Sequence, residues 1–255
     1  MKNLVICSIV SLFLKAIGFQ GSYVPNTNDL NAIGNICDFR KDARYGYGFA
    51  ISHDQNILTC WHVALCDTVA ARIFDTLSVI GPELKLKAKD TLRFQRLNNR
   101  RMDTLSLVIA IPTLDIAIYK LINQKIDCYL DIGGLGSDVP GDTISFPVWR
   151  NLKNIASNFG NIFVLKRPIL SIDSSESDGY YLKVLHARST AHFGTSGSPV
   201  FDTRGKVIAM IGRGGDEQVR QNGDTTAILD AYVLKPVIDS ILKLIPNETP
   251  KPTKQ

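Results

Sequence analysis

What is scarce in these 255 residues narrows the field first. Among five cysteines and four histidines there is no Cys-x-x-Cys pair and no histidine pair at ligand spacing, so a zinc centre is not expected. The apolar run at residues 4–14 is too short for a spanning helix, which needs roughly 20 residues. No large excess of one charge exists: the formal net charge is +5 and dispersed, which offers nothing for nucleic acid. The cluster Gly133-Gly134-Leu135-Gly136 lacks a strand–turn–helix frame and a trailing acid, so it is a loop and not a dinucleotide fingerprint. No internal repeat is present. With 21% charged and 45% apolar residues, the chain is a globule of one substantial unit or two subdomains.

What is present is a serine in an unusual setting. Gly194-Thr195-Ser196-Gly197-Ser198-Pro199-Val200 holds Ser196 between two near-adjacent glycines and ahead of Pro-Val. Glycine permits backbone angles and close approaches that other residues forbid. A tight turn of this kind can direct a serine Oγ outward and gather backbone N–H groups around a developing oxyanion. Taken alone, the heptapeptide is equally an ordinary surface turn. Nucleophilic chemistry needs a base and an orienting acid elsewhere.

His62 lies in Ile57-Leu58-Thr59-Cys60-Trp61-His62-Val63-Ala64, after a strand-like Gly46-Tyr47-Gly48-Phe49-Ala50-Ile51-Ser52 and a turn at 53–56. A neutral imidazole there can take a serine proton as general base. The structural alternative is a hydrogen-bonded histidine at a strand end. His53, His186 and His192 read as turn, strand and loop residues. Asp115 is the single carboxylate of Thr113-Leu114-Asp115-Ile116-Ala117-Ile118-Tyr119-Lys120-Leu121. A buried lone carboxylate is costly, and orienting an imidazole would give it a partner. Its alternative is an Asp at the turn opening a strand. Asp103 and Asp127 compete for the role but precede no comparable Ile-Ala-Ile run.

Together these blocks resemble the chymotrypsin-fold (trypsin-like) serine endopeptidases. Residues 46–64 resemble that family's Gly-x-Gly-Phe … Leu-Thr-x-x-His-Val block. Residues 115–121 are similar to its Asp-Ile-Ala-Leu-x-Lys-Leu block, and residues 194–200 to Gly-x-Ser-Gly-Ser/Gly-Pro-Val. The order His, Asp, Ser is the family's order. The motif style is that of bacterial secreted glutamyl endopeptidase-like and high-temperature-requirement-like peptidases. The resemblance implies Ser196 as nucleophile, His62 as base and Asp115 as orienter, with the N–H groups of Gly194 and Ser196 as oxyanion hole. It implies a protein or peptide substrate and neither cofactor nor metal. By the same analogy Thr190 floors the primary pocket, and Ile211, Gly212, Arg213 and Gly214 line its wall. A neutral Thr190 disfavours a demand for Arg or Lys. Ile211 stands where glutamyl endopeptidases carry a histidine, which weakens a preference for acidic residues. A medium-sized uncharged side chain is the expected preference. Thr195 replaces the Asp that pairs with a new N-terminus in animal digestive members, so that activation switch is not expected. The alternative from another class is a catalytically silent or latent protease-fold binding module.

The resemblance implies an all-β fold of two six-stranded antiparallel β-barrels with a C-terminal α-helix. Residues 19–125 are assigned to the first barrel, 126–245 to the second with its closing helix, and 246–255 to a flexible tail, with no room for an added peptide-binding module. Strands are predicted at 46–52, 56–60, 69–74, 77–80, 84–88, 104–111, 115–121, 142–148, 161–171, 180–187, 198–202, 206–211 and 226–231. A short helix is predicted at 26–35, a loop or short helix at the basic patch 92–102, a barrel connection at 126–139, a polar hairpin tip at 173–179 and a helix at 233–244. Residues 1–18 combine Lys2, an apolar core and small residues at Ala16 and Gly18, which reads as a secretory signal. Lys15 leaves an uncleaved anchor as the alternative. Secretion or a periplasmic or cell-envelope location follows, with no stable membrane insertion after cleavage. Cys7 lies within that segment. Cys37, Cys60, Cys66 and Cys128 allow two disulfides in any of three pairings, one bridge, or none.

Overall fold

Strand β4 (Thr91–Arg96) shows how alternation builds the first sheet. Leu92, Phe94 and Arg96 are buried, while Thr91, Arg93 and Gln95 lie on the other face. The computed structural model describes residues 23–39, 44–52, 54–67, 86–122, 124–136, 140–149, 162–177, 180–189, 195–214, 220–221, 224–225 and 227–243. β4 joins β1 (Ile33–Cys37), β2 (Arg44–Ala50), β3 (Asn56–Cys60), β5 (Met102–Ile111) and β6 (Ile116–Leu121). Their spatial order is β1-β2-β3-β6-β5-β4, and antiparallel pairing of β1 with β4 closes the barrel.

A second closed barrel repeats the plan. It contains β7 (Thr143–Trp149), β8 (Ile162–Ser177), β9 (Tyr180–Ser189), β10 (Pro199–Phe201), β11 (Val207–Gly214) and β14 (Ala227–Val233). The pairing of Phe201 with Ser145 closes it. A minor hairpin, β12 (Arg220–Gln221) with β13 (Asp224–Thr225), stands apart from both barrels. The all-β, two-barrel expectation is met, and helix α3 (Lys235–Leu242) follows the last strand. Its Val237, Ile238 and Ile241 join a core cluster that draws on residues of both barrels. Among the described residues, no helix is long and apolar enough to cross a membrane.

Four local expectations need correction. Helix α1 (Thr27–Ala32) has a capping box, with Asn26 accepting from the Asn28 and Asp29 N–H groups and Asp29 accepting from the Asn26 N–H. It stops before residue 35 because Ile33–Cys37 is buried throughout as β1; burial in the sheet outweighs helical continuation. The basic patch is not a solvated loop or helix. Arg96 is buried and its Nε donates to Asp103 Oδ2 at 2.6 Å, while Nη2 donates to the Lys125 carbonyl at 3.1 Å. Arg101 Nε lies 3.2 Å from the other Asp103 oxygen, and Arg93 sits over the Phe39 ring. Asp103 is thus the anchor of an ion pair inside barrel one. Residues 173–177 are not a hairpin tip either: they continue β8 in register with Tyr180–Val184. Residues 86–88, the described part of the strand predicted at 84–88, form no strand, and the strands predicted at 69–74 and 77–80 lie outside the described residues.

The connection between barrels is held as a seam. Leu130 N–H donates to the Ala50 carbonyl of barrel one, and Val207 N–H of barrel two donates to the Asp131 carbonyl. Ile132 bridges Val207 in parallel. At the other end of the chain, Tyr23 packs its ring on Phe201 at 5.5 Å and its hydroxyl hydrogen-bonds to Asp29. The four described cysteines are free thiols, so no disulfide exists among the described residues. Burial pushes the Cys66 thiol up to about 12, and burial also raises the Tyr47 and Tyr119 hydroxyls.

Removing one partner of a buried ion pair strands the other. Asp103→Ala is expected to cost about 3–5 kcal/mol, read from urea unfolding at neutral pH. A loss under about 1 kcal/mol would mean that Arg96 finds water instead. The raised groups set an alkaline limit. Cys66 ionises at lower pH when unfolded than when folded, so its stabilisation is intact below the ordinary thiol range and lost as pH climbs toward about 12. Urea midpoints should fall across that window, and Cys66→Ala should lessen the fall.

Candidate active site

The site begins with β3, whose last residue, Cys60, pairs with Ile116 at the start of β6. The residues just beyond that pair, on the two chains, are Trp61–His62 and Asp115. After Cys60 the chain turns into a single helical turn, α2 (Trp61–Ala64), which lifts His62 off the sheet. Before Ile116 a 3-10 turn (Pro112–Leu114) delivers Asp115 in the left-handed region, φ 52° and ψ 38°. Asp tolerates that conformation better than most residues.

Main-chain contacts fix the two residues to each other. Trp61 N–H donates to the Asp115 carbonyl at 3.0 Å, and His62 N–H donates to Asp115 Oδ1 at 3.0 Å. His62 Nδ1 lies 2.8 Å from Oδ2 and 3.0 Å from Oδ1. Both residues are buried, His62 at 7% and Asp115 at 4% exposure. The carboxylate therefore meets the ring nitrogen and a backbone donor at once, which holds its plane before any ligand arrives. With Nδ1–H directed at the carboxylate, Nε2 carries the lone pair.

Ser196 comes from the other barrel, on the turn that precedes β10. Ser198 N–H closes the turn on the Thr195 carbonyl at 3.1 Å, and Gly197 takes φ +83°. Ile211 clamps both sides: its carbonyl accepts from Gly197 N–H at 2.7 Å and its N–H donates to the Ser198 carbonyl at 2.9 Å. Ser198 Oγ donates to the Pro147 carbonyl, tying the turn to β7. The turn then crosses to barrel one. Tyr47 N–H donates to the Ser196 carbonyl at 2.8 Å. A Cβ on Gly46 would lie 2.6 Å from the Ser196 carbonyl oxygen and 2.6 Å from Val63 Cγ2. The serine turn and the helix that carries His62 thus both crowd the space where a Cβ of this glycine would stand.

The remaining predicted residues are placed unevenly. Thr190 and Gly194, the expected pocket floor and one oxyanion donor, lie outside the described residues. The Ile211 side chain is buried in the core cluster of barrel two, and its main chain holds the serine turn. Gly212 lies under the Tyr232 ring. The β11–β14 register shifts between Ile211 and Gly214, which leaves Gly212 and Arg213 in an irregularity facing the segment around Asp230. Gly214 pairs with Leu229.

Sequence reasoning missed two features. His186, read as a plain strand residue, has Nδ1 2.8 Å from Asp230 and Nε2 2.9 Å from Asp173, linking three adjacent strands. The only available signal was alternation, and it says nothing about partners on other strands. Cys60 is fully buried, its thiol donates to the Ile211 carbonyl at 3.2 Å, and it stands beside His62 and Asp115.

The profile of the trypsin-like peptidase domain matches residues 46–210, and the chain belongs to that family. Solved structures share the fold at low identity. The HtrA-type protease AlgW with a tripeptide aligns at 16% identity and TM-score 0.57, covering 87% of this chain and 64% of that one. The chain thus spans less than two thirds of that protease's length. The Rv3671c protease from M. tuberculosis in its active form aligns at 16% and 0.55, covering 85% and 82% of the two chains. The MamO protease domain from Magnetospirillum magneticum aligns at 15% and 0.55, covering 84% and 97%. No curated protein matches the chain by sequence.

The turn offers a direct test of these constraints. A Cβ at Gly197 would collide with the Tyr47 carbonyl and the residue already has positive φ. Gly197→Ala should therefore cost at least about 1–3 kcal/mol, measured as a drop in melting temperature and urea midpoint. An unchanged midpoint would mean that the turn is free to relax.

Proposed function

We propose that the chain is a serine endopeptidase that hydrolyses peptide bonds through an acyl-enzyme. The observation that carries this reading is the buried His62 Nδ1–Asp115 contact at 2.8 Å, with the Ser196 turn lodged against the His62 helix across Gly46. Ser196 Oγ attacks the peptide carbonyl and His62 Nε2 takes its proton. Asp115 keeps the imidazole in the required tautomer and stabilises the imidazolium. Gly194 and Ser196 N–H groups receive the oxyanion. His62 then returns the proton to the leaving amine, and water releases the acyl group by the reverse relay.

The substrate is a protein or peptide, paired as an extended strand along the barrel edge. AlgW is a related fold solved with peptides bound, which supports this class. A medium-sized uncharged side chain is assigned to the primary pocket formed around Thr190, Gly212, Arg213 and Gly214. Residues 1–18 are assigned as an export signal, which places the mature enzyme outside the cytoplasm or in the cell envelope.

A fluorophosphonate probe tests the mechanism. The folded chain should label, and Ser196→Ala should not label at all. Asp115→Asn should slow labelling by about 10⁴, because the wrong tautomer is then favoured. Labelling that persists in Ser196→Ala would move the nucleophile elsewhere. A folded but unlabelled wild-type chain would favour the silent or latent binding module.

A further inference from the structure

We propose that Cys60, His62 and Asp115 form an inhibitory site for a thiophilic divalent cation of the Zn²⁺ or Cd²⁺ type. One ligand atom from each residue, a thiol sulfur, an imidazole nitrogen and a carboxylate oxygen, lies within 4.8 Å of the other two. Two segments supply them: Cys60 ends β3 and His62 follows two residues later in the α2 turn, while Asp115 is the left-handed residue before β6. All three are buried, so their positions are set by the fold.

The chemistry of the set fits such an ion. Thiolate and imidazole select soft and borderline metals over magnesium or calcium. Three protein ligands with a fourth position for water is a common arrangement for zinc. A thiolate and a carboxylate together cancel a dication's charge, so the loaded site is electrically neutral in a place where uncompensated charge is costly. Ligand atoms around zinc stand about 3–4 Å apart, so the cluster needs at most about 1–2 Å of closure.

The proton balance explains the inhibition; this clause rests on the proposed triad. The ion binds Cys60 as thiolate and releases one proton to solvent. It takes the Nδ1 lone pair of a neutral His62, whose proton moves to Nε2. Nothing is oxidised or reduced. Nε2 is then protonated and cannot accept the Ser196 proton, while Asp115 has exchanged its ring N–H for the metal. Cys60 takes no part in acyl transfer; its thiol otherwise donates to the Ile211 carbonyl.

The test uses the full chain with Cys7→Ala and Cys128→Ala, which removes one partly exposed thiol and the N-terminal one. Cadmium is titrated by ultraviolet absorption for thiolate-to-metal charge transfer, and zinc is added to the fluorophosphonate assay in parallel. The expected result is one charge-transfer band per chain, and labelling that slows over the same concentrations at which zinc displaces cadmium. A chelator restores labelling. Adding Cys60→Ala should weaken cadmium binding by about 100-fold or more, beyond the loss of an outer-shell partner, and leave labelling unaffected by zinc. Cys60→Ser serves where the alanine variant fails to fold. The visible spectrum of cobalt(II) bound to the parent chain reports a tetrahedral sulfur-containing site without further substitution. Absence of a band, a band that survives loss of Cys60, or a saturated band with undiminished labelling each overturns the proposal. Should the chain fail to label without metal, the protease reading falls, while the absorption arm still decides whether the site exists.

Discussion

The hydrogen bond from Tyr47 N–H to the Ser196 carbonyl is the contact on which the arrangement depends. It joins the main chain of one barrel to the main chain of the other at the point where chemistry is proposed. Side-chain packing alone would let the barrels slide. A backbone bond at 2.8 Å beside a glycine with no room for a Cβ fixes the separation to within a few tenths of an ångström. Thr59 strengthens the same joint, donating its Oγ1 to the Tyr47 carbonyl at 2.6 Å. Neighbouring residues of β2 and β3 are thus spent on holding the serine turn, while α2 and Asp115 hold the imidazole.

This division of labour explains why the site spans both barrels. The acid and the base share one sheet, and their mutual register follows from the Cys60–Ile116 pair. The serine is brought by a loop from the second sheet, anchored by Ile211 behind and Tyr47 in front. Each half can be built from short-range sequence, but the joint between them cannot. Preorganisation of this kind lowers the reorganisation needed at the moment of reaction.

The same distinction sets what could be read from the chain. His62, Asp115 and the Ser196 turn sit in local patterns of apolar runs and glycines, so they were legible without coordinates. The strands around them were legible as short apolar runs, since β3 is buried at every position and β6 at all but Lys120. Arg96 and Asp103 were not, because a buried pair of charges looks like surface until the partner strand is known. His186 was missed for a related reason: its carboxylates are donated by β8 and β14, far away in sequence. The start of β1 was hidden because residues 26–35 read as one helix, while Ile33–Cys37 is buried throughout as a strand. Cys60 showed only as an isolated thiol two residues from a histidine; Asp115 completes the trio through the fold alone.

Tyr23 adds a mechanical consequence. Its ring rests on Phe201 and over Gly205 in the second barrel, yet the chain that follows it runs directly into the first. A pull applied upstream of Tyr23 is therefore shared between β10, through the ring contact with Phe201, and the segment leading into the first barrel, through the backbone and the Tyr23–Asp29 hydrogen bond.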